Sequence, residues 1–325
     1  PGGNASDVAA VFRTVLRRET VADDDTFAGL GGDSLSYVEM SLALEEVLGR
    51  LPEDWPDRTI GELAASGARA GAGARVEMNV ALRAGAIALV VASHMTAFWP
   101  AGGAHLLLGL AGHSFARLQL AATEGPRRLG RRLASAARIA VPSSAWIGLW
   151  WALAGMHGLA AVLLVNNYAG PQTYADGRWR YWFVGALVQI LIAAALLFAI
   201  PAVRRAERSH AFGFALGALA IALLFRFELV AFGSRDNLLF RPHAIAWIFI
   251  LGWAAQRART TADRLLVSAI LLAATPGFFG DPVREAVVAG GLLLLIWVPV
   301  VVVPRWTSRV LGAVAGASLA IYLTH

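Results

Sequence analysis

The sequence predicts an all-α protein: a small four-helix bundle over residues 1–68, a flexible linker over 69–76, and a polytopic helical membrane domain of about nine spans over 77–325. Three observations predict it. Of 325 residues, 57% are hydrophobic and only 15% charged, values that soluble domains rarely reach. From Met78 onward the apolar residues fall in blocks of bilayer-spanning length, roughly 20 residues each. The charge is split: residues 1–74 carry six Arg against thirteen Asp/Glu, and residues 75–325 carry twenty-two Arg against nine.

In the first segment, "SDVAAVFRTVLRRE" sets Val8, Val11, Phe12, Val15 and Leu16 on one helical face. A polar loop follows, "TVADDDTFAGLGGD", in which Phe27 and Leu30 are the expected core plugs. A second helix starts near Ser34 and carries Leu35, Val38 and Leu42. Thr59-Ile60-Gly61-Glu62 has the pattern of a capping box and predicts a last short helix. "ASGARAGAGAR", residues 65–75, is small and flexible in composition.

Nine apolar segments follow, at 78–98, 103–121, 139–165, 181–201, 211–230, 242–256, 265–280, 286–303 and 310–325. With the first segment in the cytoplasm, thirteen Arg fall in inside loops and five outside, as the positive-inside rule requires. This predicts an integral protein of the plasma membrane with a cytoplasmic head. Positive charge beside apolar spans reads as topology, so no nucleic-acid partner is expected. The absence of cysteine excludes disulfides, thiol catalysis and Cys-based metal sites. No span offers acids and histidines at ligand spacing, so no catalytic metal is expected. The missing initiator Met and the stop at "IYLTH" predict a piece of a longer polypeptide.

Two constellations carry chemistry. The first is "FAGLGGDSL", residues 27–35. Gly31 and Gly32 allow a tight loop, and Ser34 opens a helix whose N–H groups and dipole favour a phosphate. The stretch resembles the attachment signature of acyl and peptidyl carrier domains. That resemblance implies 4'-phosphopantetheine bound covalently to Ser34, a phosphopantetheinyl transferase that installs it, and an upstream activating (adenylation) domain that loads it.

The second is "NVALRAGAIALVVASHMTAFW". Arg83 and His94 are eleven residues apart, three turns plus about 20°, so they share one helix stripe about 16 Å apart, with Arg83 near the cytoplasmic end and His94 deep. An ionisable side chain at membrane depth is costly and marks function more often than in a soluble core. This Arg-x10-His spacing resembles the membrane acyltransferase-3 superfamily. So do "RRLGRRLASAARIAVP", residues 127–142, and "GASLAIYLTH", residues 316–325, similar to a family ending in Ser-x-x-Ile-Tyr-Leu-x-His. "GGAHLLLGLAGHSFAR" departs from the family's usual second span, Gly-Val-x-Phe-Phe-x-Leu-Ser-Gly-Phe, and suggests a carrier-fused branch.

The resemblance implies acyl transfer: His94 as base, Arg83 holding charge at the site, and the Arg127–Arg138 cluster, Arg132 and Arg138 within it, meeting the donor. His105, His113 and Arg117 are candidates for lining the same site, His113 and Arg117 as an i,i+4 pair. The acyl group would pass from the fused carrier to a hydroxyl or amine on a lipid, glycan or small molecule. Two other readings fit the same pattern: an exporter of a carrier-made product, with the histidines as proton relays, or a passive membrane anchor. An anchor has no need of an aligned Arg and His within a span. His157 and the pair Arg226/Glu228 either line a cavity or bond a neighbouring helix, the second being favoured. Intact-mass measurement after treatment with a phosphopantetheinyl transferase should show one added phosphopantetheine, and none in Ser34→Ala.

Overall fold

The structure, a computed structural model, describes residues 3–32, 36–49, 51–52, 54–66, 74–95, 101–120, 128–169, 179–232 and 237–325. Ser34, the start of the expected second helix and most of the expected linker lie outside them. Apart from turns and connecting loops, the described residues form helices, one two-stranded ribbon and an isolated bridge between Thr26 and Thr59.

The head consists of α1 (Gly3–Leu16), α2 (Ser36–Leu48) and α3 (Ile60–Ala65), with a single 3-10 turn at Trp55–Asp57 as its fourth helical segment. Val8, Phe12, Met40, Leu44, Ile60 and Leu63 are buried. Around them an aromatic trio closes the core: Tyr37 stacks on Trp55 at 5.0 Å, and Phe27 meets both rings at 5.0 and 6.0 Å. Phe27 is thus the core plug the sequence predicts, while Leu30 is half-buried. The capping box is formed: the Glu62 amide donates to Thr59 Oγ1 at 3.2 Å and the Thr59 amide to Glu62 Oε2 at 2.9 Å.

The expected linker is corrected at its end. Ala74–Glu77 form a strand, β1, paired antiparallel with β2 (Val300–Val303) in the register Ala74 to Val303 and Glu77 to Val300. Four consecutive valines favour a strand, and Pro299 and Pro304 flank them where neither can donate to a helix. The expected eighth span, 286–303, accordingly stops as a helix before the ribbon.

Beyond the ribbon the chain forms α4 (Met78–Met95), α5 (Gly103–Ser114) with a π-helical extension at Phe115–Gln119, α6 (Arg128–Ala154), the short α7 (Leu159–Val162) and α8 (Asn166–Ala169), then α9 (Trp182–Leu197), α10 (Pro201–Ser209) and α11 (Ala211–Arg226). The remainder is α12 (Pro242–Arg257), α13 (Thr261–Ala274), α14 (Pro282–Trp297), α15 (Arg305–Gly316) and α16 (Ser318–Thr324). Each of the nine expected apolar segments contains a helix. Helix length alone, however, supports fewer crossings. Among the described residues only α4 is long and apolar enough to cross a membrane, and up to three crossings result if the pairs α9–α10, bent by 93°, and α15–α16, bent by 57°, each count as one. Helices α11, α12 and α14 have 16 residues each, about 24 Å against a hydrocarbon core of about 30 Å.

The third segment is shifted from its expected position. α6 begins at the arginines and is broken after Ala154, where Gly155, His157 and Gly158 all adopt positive φ. Arg131, Arg132 and Arg138 therefore stand on a helix and not in a loop.

α5 packs backbone to backbone on two neighbours. A Cβ on Gly103 would strike the carbonyl oxygen of Ala86 on α4, one on Gly112 that of Phe249 on α12, and one on Gly252 that of Gly109. Gly103, Gly109 and Gly112 of the second apolar segment are thus in close helix packing.

The head rests on this framework through α2. Val38 is buried with Val76, Val80, Ala84, Leu118 and Ala315, so one apolar cluster runs from head to framework. Leu42 lies where a Cβ on Gly312 of α15 would go. Gly312→Leu overpacks this contact and should weaken docking of the head by about 1–3 kcal/mol. Faster tryptic cleavage after Arg75 in the variant checks this, with wild-type rates as the contrary result.

Candidate functional site

The attachment signature sits in a loop held by short-range bonds. The Gly32 amide donates to the Phe27 carbonyl at 2.9 Å and the Gly31 amide to Ala28 at 3.1 Å. Gly31 has φ 87°, a left-handed conformation that glycine adopts without strain. Gly32 has no room for a Cβ, which would overlap the Phe27 ring. Ser34, Asp33 and Leu35 lie outside the described residues, between Gly32 and Ser36, which are described.

Arginines of α6 meet this loop. Arg131 Nη1 donates to the Gly29 carbonyl at 3.2 Å and Arg138 Nη2 to that of Gly31 at 3.3 Å. Arg132, also expected here, is buried and turned inward: it donates to the carbonyls of Phe198 at 3.1 Å and Gln119 at 3.4 Å, with its guanidinium 5.4 Å from the Phe198 ring centre. It still borders a cavity of about 30 Å³ between loop and α6, lined also by Gly31, Gly32, Gln119, Arg131 and Ser135. Two guanidiniums on carbonyls within five residues of Ser34 suit a phosphodiester at that serine, so these residues fit a phosphopantetheine arm.

Arg83 is buried on α4, with Nη2 3.4 Å from Ser114 Oγ. Ser114 Oγ also accepts from Asn79 Nδ2 at 3.3 Å, and the same amide lies 3.2 Å from His113 Nδ1. The four side chains form one polar chain across α4 and α5. Arg83 lines a cavity of about 60 Å³ with Ala111, Ile139, Phe183, Ser318 and Tyr322, large enough for a few waters.

His94 departs from expectation. It is exposed, in the last turn of α4 at the end opposite the head, and not deep within the helix. Its Nδ1 is 2.6 Å from Nε2 of His325, with the ring centres 4.8 Å apart and the ring planes 9° apart. His325 follows α16 and lies beside Tyr322, a lining residue of the Arg83 cavity, with ring centres 5.7 Å apart. The sequence reading missed His325 as a site residue. The signal was available: the first and ninth segments run in the same direction, so histidines ending each reach the same level.

The remaining candidates do not join His94. His105 is buried, its Nε2 on the Leu239 carbonyl at 2.9 Å, between the rings of Trp182 and Phe279. His113 and Arg117 face a separate polar cavity of about 270 Å³, together with Asn79, Gln256 and Arg264. Arg117 pairs with Glu77 at 2.7 Å and lies 5.3 Å from the Tyr37 ring centre. It therefore joins ribbon, framework and head. Burial, reinforced by the charge of Glu77, holds the Tyr37 phenol well above its usual range, so the ring under Arg117 is neutral. Arg226 donates to the carbonyls of Ala274 and Pro276, and His157 meets Tyr181 edge-on at 4.9 Å, both bonding neighbouring segments as favoured from sequence.

Comparison with known families matches residues 6–65 to the phosphopantetheine attachment site family, less than a fifth of the chain. No curated protein and no solved structure matches the chain. The hydrogen bonds from Arg131 and Arg138 hold the loop against α6, and releasing it is expected to make it more accessible to a modifying enzyme. Replacing both by Ala removes about 1 kcal/mol of docking for each bond. Phosphopantetheinylation of the full chain should then run up to about thirtyfold faster by intact-mass time course, and an unchanged rate would show that the loop is equally open without them.

Proposed function

Residues 6–65 being a phosphopantetheine carrier domain, which holds the group covalently on a serine, is loaded by a phosphopantetheinyl transferase and works with partner catalytic domains, we propose that the remainder of the chain is the partner: a membrane acyltransferase that takes the acyl group from its own carrier. Ser34 is the attachment residue in this reading. The helices cross the plasma membrane with the carrier on the cytoplasmic side, and the nine apolar segments are its passages, several of them short or bent. Exposed Val141, Leu153, Ile221, Leu265, Leu272 and Leu294 support a lipid-facing surface. So does the bias of arginine to one side.

The observation that carries the proposal is the alignment of three features. The carrier's serine loop lies on Arg131 and Arg138 at one end of α6, the Arg83 cavity lies along α4 and α16, and the His94–His325 pair stands at the far end of both. An anchor would need none of these. Tethering also keeps the carrier near α6 at an effective concentration of about millimolar. An activating domain would load it.

Arg131 and Arg138 hold the phosphodiester charge at the cytoplasmic end. Arg83, fixed by Ser114, presents a positive charge to the cavity between. When bound, the arm supplies an acyl thioester, whose carbon–sulfur bond breaks as an acyl–oxygen or acyl–nitrogen bond forms. His94 takes the proton of the acceptor hydroxyl or amine and returns it to the departing sulfur, a task suited to an imidazole pKa near neutrality. The cavity of about 60 Å³ excludes bulk water but holds no acyl chain, so loading requires α16 to part from α4 and α9.

The test is His94→Ala in the full chain with an acyl-loaded carrier and candidate acceptors. Transfer should fall by at least about 100-fold while Ser34 is still loaded. Wild-type release of the acyl group by the variant would overturn the assignment. Undiminished passage of a carrier-made product through the variant would identify an exporter.

A further inference from the structure

The closest contact between ionisable side chains at the far end of the framework involves a residue to which no role has been given. His325 Nε2 lies 2.6 Å from His94 Nδ1, and His325 Nδ1 lies 3.1 Å from the Ile321 carbonyl oxygen one turn earlier. A carbonyl oxygen only accepts, so His325 Nδ1 carries the hydrogen. In a neutral imidazole the other nitrogen then holds a lone pair, which makes His325 Nε2 an acceptor. A short contact between His94 Nδ1 and that lone pair requires a hydrogen on His94 Nδ1. The reverse tautomers would set the lone pair of His325 Nδ1 against the lone pairs of the Ile321 carbonyl oxygen, which already accepts from the His325 backbone amide at 3.1 Å. The chain of donors is therefore His94 Nδ1–H to His325 Nε2, and His325 Nδ1–H to the Ile321 carbonyl.

We infer that His325 is a positioning residue for His94: anchored on α16 by the Ile321 carbonyl, it fixes the His94 ring as the Nδ1–H tautomer and leaves His94 Nε2 as the basic atom. The purpose of this arrangement rests on the acyltransferase reading, but its geometry does not. When His94 Nε2 takes a proton from an acceptor hydroxyl or amine, Nδ1–H still donates to His325, so neither ring turns over as the charge appears. When the proton leaves again for the departing sulfur, the pair returns to its starting state with nothing consumed. The parallel rings, 9° apart, keep Nε2 of His94 on the side away from His325. His94 itself is exposed, so the basic nitrogen is open to an acceptor arriving at that end of the framework. A neutral imidazole open to water prefers the Nε2–H form, which has no base at that position. Holding the other form is thus the function the second histidine supplies.

The experiment uses the full chain in lipid nanodiscs with ¹⁵N-labelled histidine, the His94 signals being assigned by their loss in His94→Ala. Wild-type His94 should be in the Nδ1–H form. His325→Leu, which removes the acceptor, should shift His94 toward Nε2–H. His325→Gln, whose amide oxygen can stand where Nε2 stood, should keep Nδ1–H. Acyl transfer should fall at least about tenfold in kcat with little change in KM in the Leu variant, and recover to within about threefold in the Gln variant. A wild-type His94 in the Nε2–H form, or a tautomer indifferent to His325→Leu, overturns the inference. So does a Gln variant as impaired as Leu, which would indicate mere packing. If the tautomers respond as assigned while the wild-type chain transfers no acyl group, the histidine pair stands and the acyltransferase reading falls.

Discussion

Backbone contact along α5 is the constraint on which the remaining geometry rests. Gly103 brings α5 against the carbonyl of Ala86 on α4, and Gly109, Gly112 and Gly252 bring it against α12. Helices with side chains between them lie about 8–10 Å apart, and these three cannot keep that distance. Van der Waals contact over bare backbone replaces the hydrophobic effect as the source of cohesion where the surroundings are as apolar as the helix. The close fit of α4 to α5 sets the Arg83 guanidinium against Ser114, and it sets Asn79 between Ser114 and His113. A single methyl at Gly103 or Gly112 would push against main chain, which has no rotamer to yield.

The head is joined to this framework in two chemically different ways. Along α2 the contact is apolar, with Leu42 and Val38 received by the small residues Gly312, Ala315 and Gly316 of α15. Beside it, Arg117 bridges Glu77 and the neutral Tyr37 ring. The attachment loop meets α6 through exposed hydrogen bonds from Arg131 and Arg138. The firm contacts therefore orient the head, and weaker ones lie at the Gly29 and Gly31 carbonyls of the loop. An acidic head on a basic framework adds a long-range attraction that salt weakens.

Much of the head was legible because its signals are local. Thr59 and Glu62 announce a helix start within four residues, and Phe27 is the one aromatic side chain in a polar loop, which points it to the core. Arg83 announces a buried charge. What escaped the sequence depended on partners far along the chain. The strand at Ala74–Glu77 exists only because Val300–Val303 come alongside, over 220 residues later. His325 acquires meaning only beside His94, 231 residues away. Hydropathy locates apolar blocks but not where a helix ends inside them, so the segments were read as longer than the helices they became. The arginines of α6 were read as a loop because charge was taken as a boundary, whereas arginine is a good helix former.

The ribbon of β1 and β2 bears on how far the head can travel. Its first described residue, Ala74, is clamped to Val303, and the last described residue of the head before it is Ser66. Eight peptide links separate the two, which at full stretch reach about 28 Å. Were the head released from α15, it would stay within that reach of the ribbon, and any enzyme that modifies it would have to come that close to the framework.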